Sequence, residues 1–274
     1  MTGLTARGLT LRRWLMARLP AGLGLPLHAF KAYYLTEPEL RWALSNVRAG
    51  ELVVDVGCNI GIYAFWFARQ VGKSGRVIAL DPAPACVRYL RTAALQLRLS
   101  QITVLDCGAS DAHGSLELHI PMEKGETRLP RATFGSTVGP SQVVNVEVAP
   151  LDELLRDRDR PVSFIKCDVE GHELAVLRGA RRLLGTDQPK LLVECEQRHL
   201  PFDMQVTFDF LQSLGYDGWF LDSTGVPRRL QEFSPGVHQV PYHDQPRARG
   251  YINNFLFIHS SRLSETPAGA VRNP

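Results

Sequence analysis

The residues able to do chemistry gather at a few points of this chain. Asp55-Val56-Gly57-Cys58-Asn59-Ile60-Gly61 joins an apolar run to a helical pattern. Glycine at 57 and 61 permits positive φ and lets a ligand touch the backbone. Asparagine is among the few other residues that tolerate the left-handed region, which suits Asn59. The spacing is not the G-x-G-x-x-G of dinucleotide binders, and there is no GK[ST] phosphate loop. Asp81 closes the next apolar run, where an acid can accept both hydroxyls of a ribose. Alone, the glycines read as a tight turn and Asp81 as a helix cap; at consecutive strand ends they point together to a bound ligand. Asp168, Glu170, Glu194 and Glu196 follow two later apolar runs.

The first turn has the D-x-G-x-[GN]-x-G form of S-adenosylmethionine binders. Their ligand is a sulfonium zwitterion with no pyrophosphate, and a carboxylate such as Asp55 near its cationic portion makes electrostatic sense. The expected cofactor set is Asp55, Gly57, Cys58, Asn59, Gly61 and Asp81, with Cys107 and Gly108 beyond the third strand. Methyl transfer to an alcohol is an in-line displacement in which the protein mainly aligns the reacting groups. A base need only take the hydroxyl proton. Asp168 is the leading candidate for that role, Glu194 its helper, and Glu170 the third. Strand alternation puts Lys166 and Asp168 on one face with Cys167 on the other, and pairs Glu194 with Glu196. The competing structural readings are Glu170 as a helix cap and Lys166 with Glu173 as an ion pair. His172 and His199 read as helix or loop histidines. Asp168 and Glu194 offer two oxygen ligands of the kind magnesium takes, but no third is evident and no metal is expected.

These residues need a scaffold that delivers strand ends to one edge. From Glu51 onward, apolar β-rich runs alternate with helical patterns, the signature of a parallel sheet with crossover helices. Strands are expected at 52–56, 76–80, 102–105, 164–167, 191–195, 219–221 and 254–258. Helices are expected at 61–70, 84–99, 151–156, 173–184 and 207–214. Between Ser110 and Pro150, the alternating stretches 116–120 and 143–148 predict an antiparallel excursion bordering the cofactor mouth. Gly135, Ser136 and Thr137 are its obvious polar contacts. Three regions result: a helical N-terminal extension (1–50), one α/β domain (51–260) and a frayed tail (261–274).

Composition limits the function classes. The chain has 274 residues, 45% hydrophobic and 22% charged, which excludes disorder and fits one large core. Net charge is +3 with no basic stripe, against nucleic-acid binding. Five cysteines without a CxxC pair argue for a reducing compartment, hence the cytoplasm, and read as core or site-lining thiols. No run reaches the ~18 apolar residues of a membrane span. Pro20, Gly22, Gly24 and Pro26 break the weakly apolar N-terminal run. Leu11, Trp14, Leu15 and Leu19 share a helical face flanked by Arg7, Arg12, Arg13 and Arg18, which suits packing on the domain or, alternatively, contact with a membrane surface.

The chain resembles the FkbM family of S-adenosylmethionine-dependent methyltransferases. The matching pieces are VVDVGCNIGIYAFWFA (53–68), VIALDPAP (77–84), FIKCDVEGHELAVLRGARRLL (164–184) and LLVECE (191–196). The element Lys166-x-Asp168-x-Glu170-Gly171-x-Glu173 is the most family-specific. Asp81 stands where Glu is commoner, a swap that keeps the ribose chemistry. The resemblance implies a doubly wound, mostly parallel seven-stranded class I methyltransferase sheet whose last strand is antiparallel. It also implies O-methylation of a hydroxyl on a natural product, sugar or glycolipid. The alternatives are a nicotinamide-dependent oxidoreductase, which the glycine spacing disfavours, and a methyltransferase-like binding module without turnover.

Overall fold

The computed structural model describes residues 19–123, 126–127, 132–135, 139–242, 244–245, 248 and 250–265. Leu11, Trp14 and Leu15, Ser136 and Thr137, and the last nine residues lie outside the described residues. Two helices come first, α1 (Ala21–Lys31) and α2 (Pro38–Ser45), joined by a wider π-helical turn over Ala32–Thr36. Strand and helix then alternate through β1 (Leu52–Val56), α3 (Ile62–Val71), β2 (Arg76–Leu80), α4 (Pro84–Gln96) and β3 (Ile102–Leu105). The excursion holds β4 (Gly108–Ala109), β5 (Gly114–Glu123), β6 (Glu126–Thr127) and β7 (Ser141–Ala149). The alternation resumes with α5 (Leu151–Leu154), β8 (Val162–Cys167), α6 (Glu173–Arg178), α7 (Arg181–Thr186) and β9 (Lys190–Glu194). It closes with α8 (Gln205–Ser213), β10 (Tyr216–Leu221), β11 (Pro227–Arg229), α9 (Pro235–His238) and β12 (Asn254–His259).

The main sheet runs β11-β10-β12-β9-β8-β1-β2-β3. Its centre is parallel, and β12 pairs antiparallel with both β9 and β10. These are the expected seven strands with the expected antiparallel last one. An eighth corrects the count: β11 adds a short antiparallel edge beyond β10. With Pro227 and two exposed arginines it has the composition of a blunted edge. The all-apolar runs are explained by burial on both faces. Along β1 and β8, Val54, Val56, Ile165 and Cys167 join the core beneath α5–α8, while Val53 and Phe164 join the core beneath α1–α4.

The first helices share that second core: Leu25, Ala29, Leu40 and Trp42 lie in one cluster with Val53 and Phe164. Gly22, Gly24 and Pro26, which break the apolar run, lie within the helix α1. The glycines let it lie hard against α4. A Cβ at Gly22 would meet the Gln96 side chain at 2.8 Å, and one at Gly24 would meet the Tyr89 hydroxyl at 2.6 Å.

The helix expected over 173–184 is two helices. Side chains cannot be added at Gly179 without striking the Ser110 carbonyl. The Asp152 carboxylate accepts hydrogen bonds from the Arg182 and Leu183 amides, both at 2.8 Å, and so starts α7 afresh. The excursion pairs β5 with β7 antiparallel over Gly114–Pro121, as the alternation predicts.

Candidate active site

The parallel strands end together, and the turn after β1 carries the backbone features anticipated for it. Gly57, Asn59 and Gly61 all have positive φ (73°, 51° and 88°). Gly57 is required for a second reason: any Cβ there would collide with the Asp168 carbonyl oxygen at the end of β8. The Asn59 amide donates to Asp81 Oδ2 at 2.8 Å, and the Ala83 amide donates to Asp81 Oδ1 at 2.8 Å. Asp81 therefore braces the glycine turn and the Ala83 amide just before α4, with lone pairs left for a ligand. Burial pushes its carboxyl up to about 6.

Behind this turn lies a charge cluster centred on Lys166. Its side chain is 3% exposed and its ammonium sits 2.7 Å from Asp168 Oδ2 and 4.8 Å from the Tyr63 ring centroid. Burial disfavours the ammonium, but Asp168, Glu194 and Asp55 outweigh it and hold its pKa above the usual lysine range. Asp55 is 1% exposed, and neither of its carboxylate oxygens has a hydrogen-bond partner. Burial pushes Asp55 up to about 7, opposed by Lys166 and reinforced by Asp168. Glu194 accepts a hydrogen bond from Asn253 Nδ2 at 2.7 Å, and burial with the neighbouring Asp168 raises its pKa well above the carboxylate range. Asn253 Nδ2 also reaches Glu196 at 3.1 Å, but β9 ends at Glu194, so strand alternation does not extend to Glu196. Glu37, from the turn between α1 and α2, approaches Lys166 and Asp168 and accepts a hydrogen bond from Tyr63; burial raises its pKa.

The loop after β8 folds differently from either structural reading. Lys166 pairs with Asp168 rather than Glu173. Glu173, not Glu170, serves the loop: its Oε1 accepts from the Val169 amide at 3.3 Å and the Gly171 amide at 2.9 Å. Glu170 has a φ of 52° and pairs with His199 Nδ1 at 2.9 Å. Burial opposes charge on His199, and the Glu170 carboxylate more than restores it, raising the imidazole pKa. The Thr133 hydroxyl donates to the Glu170 carbonyl at 2.7 Å, tying the excursion to this loop.

These groups border a cleft open to solvent. Gly57, Asn59, Asp81, Cys107, Gly108, Asp168 and Glu170 line it, together with Leu118, Thr133 and Phe134 of the excursion. Asp55, Cys58, Gly61 and Glu194 do not: Asp55 and Cys58 are buried in the turn behind it, and Gly61 packs against Leu90. Gly135 is exposed and donates its amide to Thr133 Oγ1. His199, Thr133, Phe134, Tyr63 and Glu37 are additions that sequence reasoning missed. His199 reads as a loop histidine, Tyr63 lies in the 53–68 motif but carries no chemical signature there, and Thr133, Phe134 and Glu37 lie in segments without a motif. No group of three or more His, Cys, Asp or Glu fit to hold a metal occurs among the described residues. No helix among them is long and apolar enough to cross a membrane.

Residues 55–217, more than half of the chain, match the FkbM methyltransferase domain. The chain belongs to the FkbM methyltransferase family. A curated relative, methyltransferase sdnD of Sordaria araneosa, is 29% identical over 163 residues, covering 50% of this chain and 62% of the relative. The chain thus matches less than two thirds of that relative's length. Among solved structures, the FkbM methyltransferase of Methylobacillus flagellatus is 20% identical, with a TM-score of 0.49, covering 92% of this chain and 59% of the other. A SAM-dependent methyltransferase of Aquifex aeolicus is 16% identical, with a TM-score of 0.45, covering 83% of this chain and 92% of the other.

The cofactor of this FkbM domain is S-adenosylmethionine. Its residues fit that molecule: Gly57 and Asn59 bring the turn to the cleft wall, Asp81 lines it with lone pairs free for a ribose diol, and Asp55 is a buried carboxylate just behind with both oxygens unsatisfied. The nicotinamide alternative has neither the glycine spacing nor the family to support it.

Proposed function

We propose that this FkbM protein transfers a methyl group to a hydroxyl of a small natural product, sugar or glycolipid. The observation that carries this reading is Asp168, which lines the glycine-turn cleft with its carboxylate held by the buried Lys166. When bound, S-adenosylmethionine supplies an activated methyl group on a sulfonium. Gly57, Asn59 and Asp81 would hold it from the cleft wall, with the Asp55 carboxylate buried behind them. Asp168 accepts the hydrogen bond of the acceptor hydroxyl and takes its proton as the new bond forms. Lys166 fixes the orientation of that carboxylate. The Glu170–His199 pair is a second proton acceptor in reach of the same cleft. Glu37, Asp168, Glu170 and Glu194 together make this region acidic, which favours a neutral hydroxylated acceptor over a phosphodiester.

Thermal unfolding with S-adenosylhomocysteine and with NADH tests the cofactor, on wild type and Asp81→Ala. Ligand at 100 times its dissociation constant adds about 2.7 kcal/mol, a rise of roughly 5–10 °C in a domain of this size. The expected result is a rise with S-adenosylhomocysteine that Asp81→Ala reduces. Transfer of labelled methyl to a panel of polyols and hydroxylated aromatics then tests the acceptor chemistry. Asp168→Asn should lower kcat about 10²-fold or more with the S-adenosylhomocysteine shift intact. Full turnover in Asp168→Asn, or labelling of amine acceptors alone, sinks the proposal.

A further inference from the structure

Helix α1 is apolar on two opposite sides, and among the described residues only one of them packs on the core. Ala21, Leu25, Ala29 and Ala32 face the core. Leu23, Leu27 and Phe30 follow one another at intervals of four and three, within an arc of about 60° at 3.6 residues per turn, and Tyr34 continues them in the π-helical turn. They are 60%, 51%, 43% and 62% exposed, and Leu35 beside them is 77% exposed. Such a stripe of large apolar side chains is unusual on a water-facing helix. Aromatic rings continue it. Phe30 packs edge-on against Trp66 at 5.1 Å, and Tyr33 lies against both Tyr34 and Trp66 at 4.8 Å. Tyrosine and tryptophan with an apolar body and a polar tip suit the headgroup level of a bilayer.

Charge decides what the stripe faces. The first 36 residues contain Arg7, Arg12, Arg13, Arg18 and Lys31 and no acidic residue; the first acid is Glu37. The rest of the chain holds 26 basic and all 28 acidic residues, so it is slightly negative. A cationic segment next to an exposed apolar and aromatic stripe is complementary to an anionic lipid surface, which rewards both features at once. The stripe also ends near the cleft, because Glu37 approaches Lys166 and Asp168 one turn beyond Tyr34.

We propose that the outward face of α1 docks on an anionic lipid bilayer, with the basic residues of the first 36 positions supplying the electrostatic attraction. The docked molecule presents its acceptor site close to the membrane surface. This inference does not depend on which hydroxyl is methylated.

Co-sedimentation of the full chain with vesicles tests it, comparing phosphatidylcholine alone with phosphatidylcholine containing phosphatidylglycerol. The expected result is binding to the anionic vesicles about tenfold tighter or more, lost progressively as salt rises. Leu23→Glu with Leu27→Glu should abolish it, and Arg12→Gln with Arg13→Gln and Arg18→Gln should weaken it about tenfold or more. The S-adenosylhomocysteine-induced thermal shift of each variant checks that the fold is intact, since none of these residues lines the cleft. Equal binding to both vesicles without salt dependence overturns the proposal. So does a wild type that stays in solution. In that case a dimer dissociated by Leu27→Glu gives the face to a second copy, and a monomer gives it to the chain's own first residues.

Discussion

An alanine at position 57 would have to push its methyl group into the Asp168 carbonyl oxygen while keeping a φ of 73°. Neither strand end can retreat, because the Asp168 amide is bonded to the Val56 carbonyl at 3.0 Å. Gly57→Ala should therefore cost about 3 kcal/mol or more, seen as a fall of roughly 6–12 °C in the unfolding midpoint. Gly225→Ala is the control. Gly225 also has positive φ, but no atom lies within 4 Å of its added Cβ, so only backbone strain remains. Equal losses in the two variants would remove close approach as the reason for Gly57. His199 makes a different prediction. Its folded pKa is raised by Glu170, so its contribution is fully present below the ordinary imidazole value and fades as pH rises through the raised one. His199→Gln should lose about 1 kcal/mol near pH 6 and much less near pH 9, as read from urea midpoints. A loss independent of pH would mean that packing, not the ion pair, is what the imidazole supplies.

At the scale of elements, α6 and α7 show what a local pattern omits. Between Glu173 and Leu184 there is no proline and Gly179 is the one poor helix former, which alone lowers helix propensity without fixing a break. The interruption comes from elsewhere: the Ser110 carbonyl against Gly179, and the Asp152 carboxylate on the Arg182 and Leu183 amides. Asp152→Ala should lower stability by about 1 kcal/mol and leave the cofactor-induced thermal shift unchanged, because Asp152 is remote from the cleft lining. An unchanged midpoint would show that water replaces the cap at no cost. The central strands were legible because burial on both faces leaves an unbroken apolar run, and the glycine turn and Asp81 because each must follow a strand at fixed spacing. Lys166 and Asp168 were legible as one face of β8. Thr133, His199 and Glu37 were not, since each arrives from a distant segment and carries no motif of its own. The eighth strand is short and polar, with no apolar alternation to announce it.

For the whole molecule, the site concentrates buried acids faster than it supplies cations. Asp55 and Glu173 are pushed up to about 7 and Asp81 to about 6, by burial above all, and Glu37, Glu170 and Glu194 are raised by the same cause. Each such group binds a proton in the folded state at a pH where the unfolded chain has already lost it. Stability then falls as pH rises from the ordinary carboxylate range to about 7, because the native state holds more protons. Asp187, which Arg158 holds below its ordinary value against some burial, acts in the opposite sense, but only below about pH 4, where it is still titrating. His28 and His172, lowered by burial, oppose the fall between their depressed values and 6.5; His199, raised, adds to it. The acids outnumber the histidines that oppose them. The unliganded protein should therefore unfold at a higher temperature near pH 5.5 than near pH 8, and Asp55→Asn should flatten the slope. A cationic ligand group beside Asp55 favours the ionised carboxylate, so the thermal shift given by S-adenosylhomocysteine, which keeps the ammonium, should be larger at pH 8 than at pH 5.5. Calorimetric scans across that range, with and without S-adenosylhomocysteine, check both signs. A midpoint that climbs steadily to pH 8 would mean that Lys166 neutralises these acids more completely than their burial penalises them.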